Sequence, residues 1–344
     1  MKINVFLSCY LLILPSIAFA QEESTVDVYE APKNLDITPP EYPRIEENEG
    51  VEGWVVVNYM VDTEGKVFEP TVVGSTGSKR FERAAIEAIS ESTFKPANLD
   101  GKPVVGSGYF RFSFIMNNEV AGTTASFASS YRRLTDAIRD GDKEKADKDF
   151  ARIEKRFSLN HYERAYIDFA KASYAEYFGN KLGQMNHLRN ALLFEGNYDD
   201  GKEFLPEDLT RLARTQLYVL EVENKHYADA LGTFYRIYRN YGEDAVAPFK
   251  SSRQQILALK DDNTAYAIDS VLDDNGYFSI RLHKQGIAIR EATGDINEFK
   301  LRCEKKYVFF AYEKGKEYKI PKSWGPCSLQ VLGQANTTFQ LVQF

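Results

Sequence analysis

Gly74-Ser75-Thr76-Gly77-Ser78-Lys79 is the stretch of this 344-residue chain whose residue types come nearest to cradling a phosphate. A phosphate loop needs four residues between its glycines, a lysine to reach the terminal phosphates and a Ser or Thr after it to hold magnesium. Here two residues separate the glycines and Arg80 follows the lysine. The spacing excludes that chemistry and leaves a turn with a helix start. His161, His187, His226 and His283 are far apart in sequence, with no HxxxH or HExxH pair, so no metal ligand set is expected. Ser107 lies between Gly106 and Gly108 at the start of a strand. That is not the Gly-x-Ser-x-Gly elbow that exposes a hydrolase nucleophile, and the glycines read as backbone flexibility. No catalytic constellation and no cofactor signature emerge, and the chain is expected not to be an enzyme.

The remaining chemistry is sulfur. Residues 1–20 carry Lys2, an apolar run from Val5 to Ile13 and a small-residue site at Ala18-Phe19-Ala20, which together describe a secretory signal peptide. Cleavage is expected before Gln21, with an uncleaved inner-membrane anchor as the alternative. Cys303 and Cys327 then remain in an oxidising compartment, too far apart for a CxxC redox motif. A disulfide is their expected state, worth about 3 kcal/mol by chain entropy, with two buried free thiols as the alternative.

The elements that position these residues are legible from period. Val55, Val57, Tyr59 and Val61 alternate with Trp54, Val56, Asn58 and Met60, a strand that Asp62-Thr63-Glu64-Gly65 turns into a hairpin. The returning strand, Lys66–Val73, contains Pro70, which belongs on an edge or a bulge because it lacks a ladder donor. Phe81, Ala84, Ala85, Ala88 and Ile89 form one apolar helical stripe. Phe94-Lys95-Pro96 follows the helix, and a last strand near Val104–Met116 puts Phe110, Phe112 and Phe114 on one face and Tyr109, Arg111 and Ser113 on the other. A small α+β unit with one helix-covered sheet face is predicted.

Taken in order, Pro39-Pro40-Glu41-Tyr42-Pro43, Gly50-Val51-Glu52-Gly53-Trp54-Val55-Val56-Val57, Asp62-Thr63-Glu64-Gly65, Val72-Val73-Gly74-Ser75-Thr76-Gly77, Phe81-Glu82-Arg83-Ala84-Ala85 and Phe94-Lys95-Pro96 resemble the C-terminal domain of TonB. The resemblance covers residues 35–118, about a quarter of the chain. In that family the last strand pairs edge to edge with a short receptor peptide. The resemblance therefore implies docking along Val104–Met116, with Tyr109, Arg111 and Ser113 as the partner-binding residues. TonB-type transducers also carry a long proline- and lysine-rich spacer and a histidine-bearing anchor, for which residues 21–34, a polar aperiodic linker, are no substitute.

Residues 125–265 are helical by period. Stripes such as Phe127, Tyr131, Leu134 and Ile138, then Tyr162, Tyr166, Phe169 and Ser173, then Leu209, Leu212, Leu217 and Leu220, each precede a turn and a second stripe. Three such pairs resemble degenerate tetratricopeptide repeats, and a plain helical bundle is the alternative. From 275 to 344 short alternating runs separated by glycines predict about seven strands in an antiparallel β-sandwich or barrel. The overall expectation is a multidomain α+β protein.

Cleavage after Ala20 would remove one lysine, leaving 42 basic against 50 acidic residues and a formal charge of −8. That balance argues against nucleic acid as the partner. No later segment is apolar enough to be a second span. The function expected is a periplasmic adaptor that docks envelope proteins or peptides, outer-membrane receptor segments among them, with self-association left open. An energy transducer for outer-membrane receptors and an envelope enzyme or peptidoglycan-associated protein are the alternatives.

Overall fold

The computed structural model describes residues 29–116, 122–156, 159–192 and 204–344. The signal-peptide reading of residues 1–20 lies outside them. Strands β1 (Tyr29–Glu30) and β2 (Lys33–Asp36) stand where the last part of a linker was expected. They pair through the main chain, Tyr29 with Leu99 and Lys33 with Lys95, and all four β2 side chains are exposed. An edge strand held by its backbone alone leaves no hydrophobic period to read.

A short helix, α1 (Arg44–Asn48), leads into β3 (Gly53–Val61) and β4 (Val67–Ser75). The hairpin turn forms because Asp62 Oδ1 accepts from the amides of Glu64 and Lys66 at 2.8 and 2.9 Å while Gly65 takes φ +87°. Pro70 falls in the register shift between the Asn58–Thr71 and Met60–Phe68 pairs, on an edge strand of the sheet. Helix α2 (Lys79–Glu91) buries the five residues of the predicted stripe. Short strands β5 (Thr93–Lys95), β6 (Ala97–Leu99) and β7 (Lys102–Val104) then lead to β8 (Gly106–Phe114). The main sheet has the order β4-β3-β8.

Three helical pairs follow: α3 (Ala125–Arg139) with α4 (Lys143–Arg156), α5 (His161–Tyr177) with α6 (Lys181–Leu192), and α7 (Glu207–Glu223) with α8 (Tyr227–Tyr241). Gly141, Gly179 and Lys225 turn each pair in the left-handed region. Two further helices, α9 (Glu243–Val246) and α10 (Lys250–Asp261), close the region. Two stripes depart from expectation. Leu212 is 46% exposed, and in α5 it is Ala165, Ile167, Ala170, Ala172 and Ala175 that are fully buried, with Tyr162, Tyr166, Phe169 and Ser173 half-buried. Helix α5 is enclosed around most of its circumference, and small residues permit the close approach this requires.

The C-terminal region is a β-sandwich; the barrel alternative is excluded because the two sheets do not close on each other. One sheet contains β10 (Tyr277–Arg281), β15 (Cys327–Gly333), β12 (Ile296–Cys303) and β13 (Tyr307–Ala311) in that order. The other contains β14 (Glu317–Lys319), β11 (Gly286–Arg290), β16 (Thr338–Gln343) and β9 (Tyr266–Val271). Inner faces of both share one core that includes Ile268, Phe299, Leu329 and Leu341. Strand β9 lies before the expected domain start at 275, and its Ala267, Asp269 and Ser270 are weak strand formers that hid it. Cys303 and Cys327 sit opposite each other on β12 and β15 and are joined by a disulfide.

Replacing both cysteines with alanine is expected to lower the stability of the sandwich by about 3 kcal/mol, since the bond closes a loop of 24 residues. Urea unfolding of the full chain, followed through Trp324 beside the sandwich core, reads it. An unchanged midpoint would show that the bond carries no stability. Any shorter fragment used for the same purpose has to begin before Tyr266, because β9 completes the second sheet.

Candidate functional site

Residues 74–79, read as a turn and helix start, lead into the cap of α2. Ser78 caps α2 by accepting from the Phe81 amide, Ser75 donates to Glu82 at 2.6 Å, and Lys79 pairs with Glu82 at 2.9 Å. Gly106 and Gly108 are required by close approach rather than by flexibility. A Cβ at Gly106 would lie 2.6 Å from the Pro32 ring, and one at Gly108 would lie 2.7 Å from the Tyr59 ring. Among the described residues no three His, Cys, Asp or Glu side chains gather as a metal site. What the fold does present is the outer edge of β8.

Which backbone groups face that edge follows from the neighbouring hairpin. The Trp54 amide donates to Thr76 Oγ1 at 3.2 Å and the Trp54 carbonyl accepts from the Thr76 amide at 3.1 Å, so both Trp54 groups point toward β4. Trp54 stands opposite Ser113 on β8. In an antiparallel ladder, a residue whose own groups point away from its partner strand belongs to a non-hydrogen-bonded pair, and its partner's groups point away too. Ser113 therefore turns its N–H and C=O outward. The β3–β8 register runs unbroken from Gly53–Phe114 to Val61–Gly106, so Arg111 and Tyr109 do the same. No strand pairs with this edge among the described residues.

The side chains of Tyr109, Arg111 and Ser113 share one sheet face with Trp54, Val56 and Asn58, their cross-strand partners. Tyr109 is 51% exposed, Ser113 is exposed and Arg111 is half-buried. Phe112 and Phe114 lie buried on the opposite face, where Phe114 stacks on Phe81 of α2 at 4.2 Å, and Phe110 is half-buried beside them. The expectation that only one sheet face is covered is corrected here. Trp54 and Val56 are buried against Ala165, Phe204 and Leu205 of the helical region.

At the end of that covered face the joint is polar. The Glu52 carboxylate accepts from the Met116 amide at 3.0 Å and the His161 amide at 3.2 Å, and lies 3.1 Å from His161 Nδ1. Arg164 Nε donates to the Glu52 carbonyl at 2.9 Å. Burial holds the His161 imidazole below its usual pKa, against the pull of Glu52. Burial pushes the Glu52 carboxyl up, but the hydrogen bonds from His161 and the Met116 amide outweigh it and keep it below the usual carboxylate range. Residues 52 and 161 are 109 positions apart, and nothing in their local patterns announces the contact.

The family model of the Gram-negative bacterial TonB protein C-terminal matches residues 38–116. That segment is a TonB C-terminal domain. Protein TonB of Vibrio cholerae is 37% identical over 65 residues, 19% of this chain and 27% of that protein. Protein TonB of Pseudomonas aeruginosa is 32% identical over 82 residues, 24% of this chain and 24% of that protein. The matched segment thus spans about a quarter of either relative. The solution NMR structure of the Pseudomonas aeruginosa TonB CTD aligns with 26% of this chain and 90% of its own, at 29% identity and a TM-score of 0.24. The β8 edge, with which no strand among the described residues pairs, belongs to the last strand of this TonB C-terminal domain, and the joint at Glu52 fixes that domain to the helices.

The joint is expected to weaken in acid. Unfolded, His161 takes up a proton near pH 6.5; folded, it does so only at lower pH. The unfolded state thus binds more protons below about 6.5, and stability falls as the pH drops through that window. Glu52 acts in the same direction further down, its contribution present above 4.5 and lost as the pH falls through its depressed value. The urea midpoint should fall between about pH 7.5 and 5.5, and less so in His161→Gln. An equal fall in both chains would place the acid sensitivity elsewhere.

Proposed function

We propose that the chain is an envelope adaptor, exported to the periplasm, that takes up an extended segment of a partner along the outer edge of β8 and holds a second partner on its helical pairs. The observation that carries this reading is the outward direction of the Ser113 and Tyr109 backbone groups along an edge with which no strand among the described residues pairs. Strand addition at such an edge draws affinity from ladder hydrogen bonds and selectivity from alternate side chains. Tyr109 and Ser113 are the exposed ones, so partner choice rests on them more than on Arg111, which is half-buried. The helical pairs, with their left-handed turns at Gly141, Gly179 and Lys225, suit a tetratricopeptide-like stack. The role is one of binding, without catalysis or cofactor.

An energy transducer acting on outer-membrane receptors is the second reading, favoured by the identity to the two TonB proteins. Among the described residues no helix is long and apolar enough to cross a membrane. Intact mass and fractionation separate the two: a chain beginning at Gln21 in the periplasmic fraction supports the adaptor, and an inner-membrane chain retaining residues 1–20 supports the transducer.

Ser113→Pro removes one outward donor without touching the ladder to β3. Partners captured by the mature chain through this edge should bind this variant about tenfold more weakly, the scale of one lost and uncompensated hydrogen bond. Unchanged affinity in a folded Ser113→Pro chain would rule strand addition out.

A further inference from the structure

Between α8 and α10 lies a surface groove of about 440 Å³. Leu231, Tyr235 and Tyr238 reach it from α8 at positions i, i+4 and i+7, and Arg253 and Leu257 reach it from α10 one turn apart. Tyr235, Tyr238 and Leu257 remain 61%, 46% and 39% exposed. Helix α10 packs inward through Ile256, and Ser252 bonds the Tyr218 hydroxyl at 2.7 Å. The groove-facing stripe is therefore the other side of a helix already anchored.

The order of elements says what is missing there. Helices α3 to α8 form three antiparallel pairs, whereas α10 is followed directly by β9 and has no paired helix of its own. The groove occupies the position beside α10 and α8 that the second helix of a fourth pair would take. Leu231, Tyr235 and Tyr238 of α8 form an apolar row facing Leu257 of α10, whose other groove residues, Lys250, Arg253 and Gln254, are polar. One apolar row at helical spacing flanked by polar groups accepts the ridge of an amphipathic helix, not an extended strand, which would need a free sheet edge. Over the groove, the Arg253 guanidinium lies 5.1 Å from the Phe234 ring, and among the described residues no carboxylate pairs with it. Lys250, by contrast, is paired with Glu243 at the groove's end. The unoccupied charge is positive and sits on an aromatic floor.

We propose that this groove receives an amphipathic helix of a partner protein, with apolar residues at i, i+3 or i+4 and i+7 against Tyr235, Tyr238 and Leu257 and an Asp or Glu set against Arg253. The bound helix completes the fourth pair over roughly two turns, about 10 Å of axis. The inference rests on the adaptor reading in taking the helices as a second contact surface, and it does not involve the β8 edge.

Displayed random peptides of about 16 residues, long enough for a marginal helix, are selected on the full chain and counter-selected on Leu257→Glu. Enriched peptides should carry the apolar helical spacing with an acidic residue alongside and gain helical circular dichroism on binding. They should bind Leu257→Glu, Tyr235→Glu and Arg253→Glu chains about tenfold more weakly. Ser113→Pro should leave this binding unchanged, which separates failure here from failure of the strand-edge reading. Tyr235 is the most exposed of the three, so Tyr235→Glu keeps the test open if Leu257→Glu fails to fold. Enriched peptides with central prolines or period-two alternation would overturn the proposal, as would binding indifferent to all three groove substitutions, or no enrichment. Self-association of the unsubstituted chain that Leu257→Glu abolishes would make the occupant a second copy and overturn it too.

Discussion

Every residue of β3 is buried, and the rest of the molecule is arranged around that fact. Val55, Val57, Tyr59 and Val61 pack under α2, while Trp54 and Val56 pack against the helical region. A strand enclosed on both faces cannot slip by one residue without exchanging two complete sets of side chains, so its register is strongly specified. Strand β8 inherits that register through nine paired residues. The outward direction of the Ser113 and Tyr109 amides is thus a consequence of where Trp54 is buried. Trp54 and Val56, with the polar contacts of Glu52, also join two regions otherwise read as separate, supplying the apolar part of an interface of the kind that restrains relative domain motion.

The sandwich is held to the other two regions by more polar contacts. Arg302, with its side chain almost fully buried, donates to Thr71 on β4 at 2.7 Å and to Gln330 at 3.2 Å, and Tyr307 meets Phe68 edge-on at 5.8 Å. On its far side, His283 Nε2 lies 2.8 Å from the Ile256 carbonyl of α10, and Lys284 pairs with Asp262 at 3.0 Å. Burying such charges yields little net stability, because desolvation offsets most of the Coulomb attraction. Their effect is geometric: each has one orientation in which its partners are met. Glu69, 3.8 Å from Arg302, adopts φ +48°, an uncommon conformation for a non-glycine residue, within the β4 irregularity created around Pro70.

What could be read in the sequence divides along the same line. Period-two and 3.6-residue patterns placed β3, α2, β8 and the three helical pairs, because each buries a face of its own, whereas β4, with no fully buried residue, was placed by the Asp62-Thr63-Glu64-Gly65 turn before it. The double burial of β3 was also visible in principle: Trp54 to Val61 is apolar at every position but Asn58, the near-continuous pattern of a strand covered on both sides. Strand β9 and the backbone-held β1 and β2 left no such trace. Glu52–His161 and Arg302–Thr71 join residues more than a hundred positions apart, and a lone histidine or arginine carries no sign of its distant partner. For the edge itself, the strand and its two faces were legible, but which amides point outward depends on the Trp54–Thr76 pairing, a contact across the fold that leaves no local pattern.

On the proposed adaptor reading, a strand edge supported this way binds with shallow specificity. Its donors and acceptors are main-chain groups that any extended segment matches, and the three side chains beside them lie on a face largely occupied by the helices and the sandwich. With Arg111 half-buried, only Tyr109 and Ser113 are exposed to read a partner. Because β3 and α2 already fix β8, pairing there would require little reorganisation of the protein and would leave most of the ordering cost with the partner. On this reading, discrimination between partners has to come from a second surface. The groove beside α10 has a volume of about 440 Å³, an aromatic floor and, in Arg253, a cation that no carboxylate pairs with among the described residues.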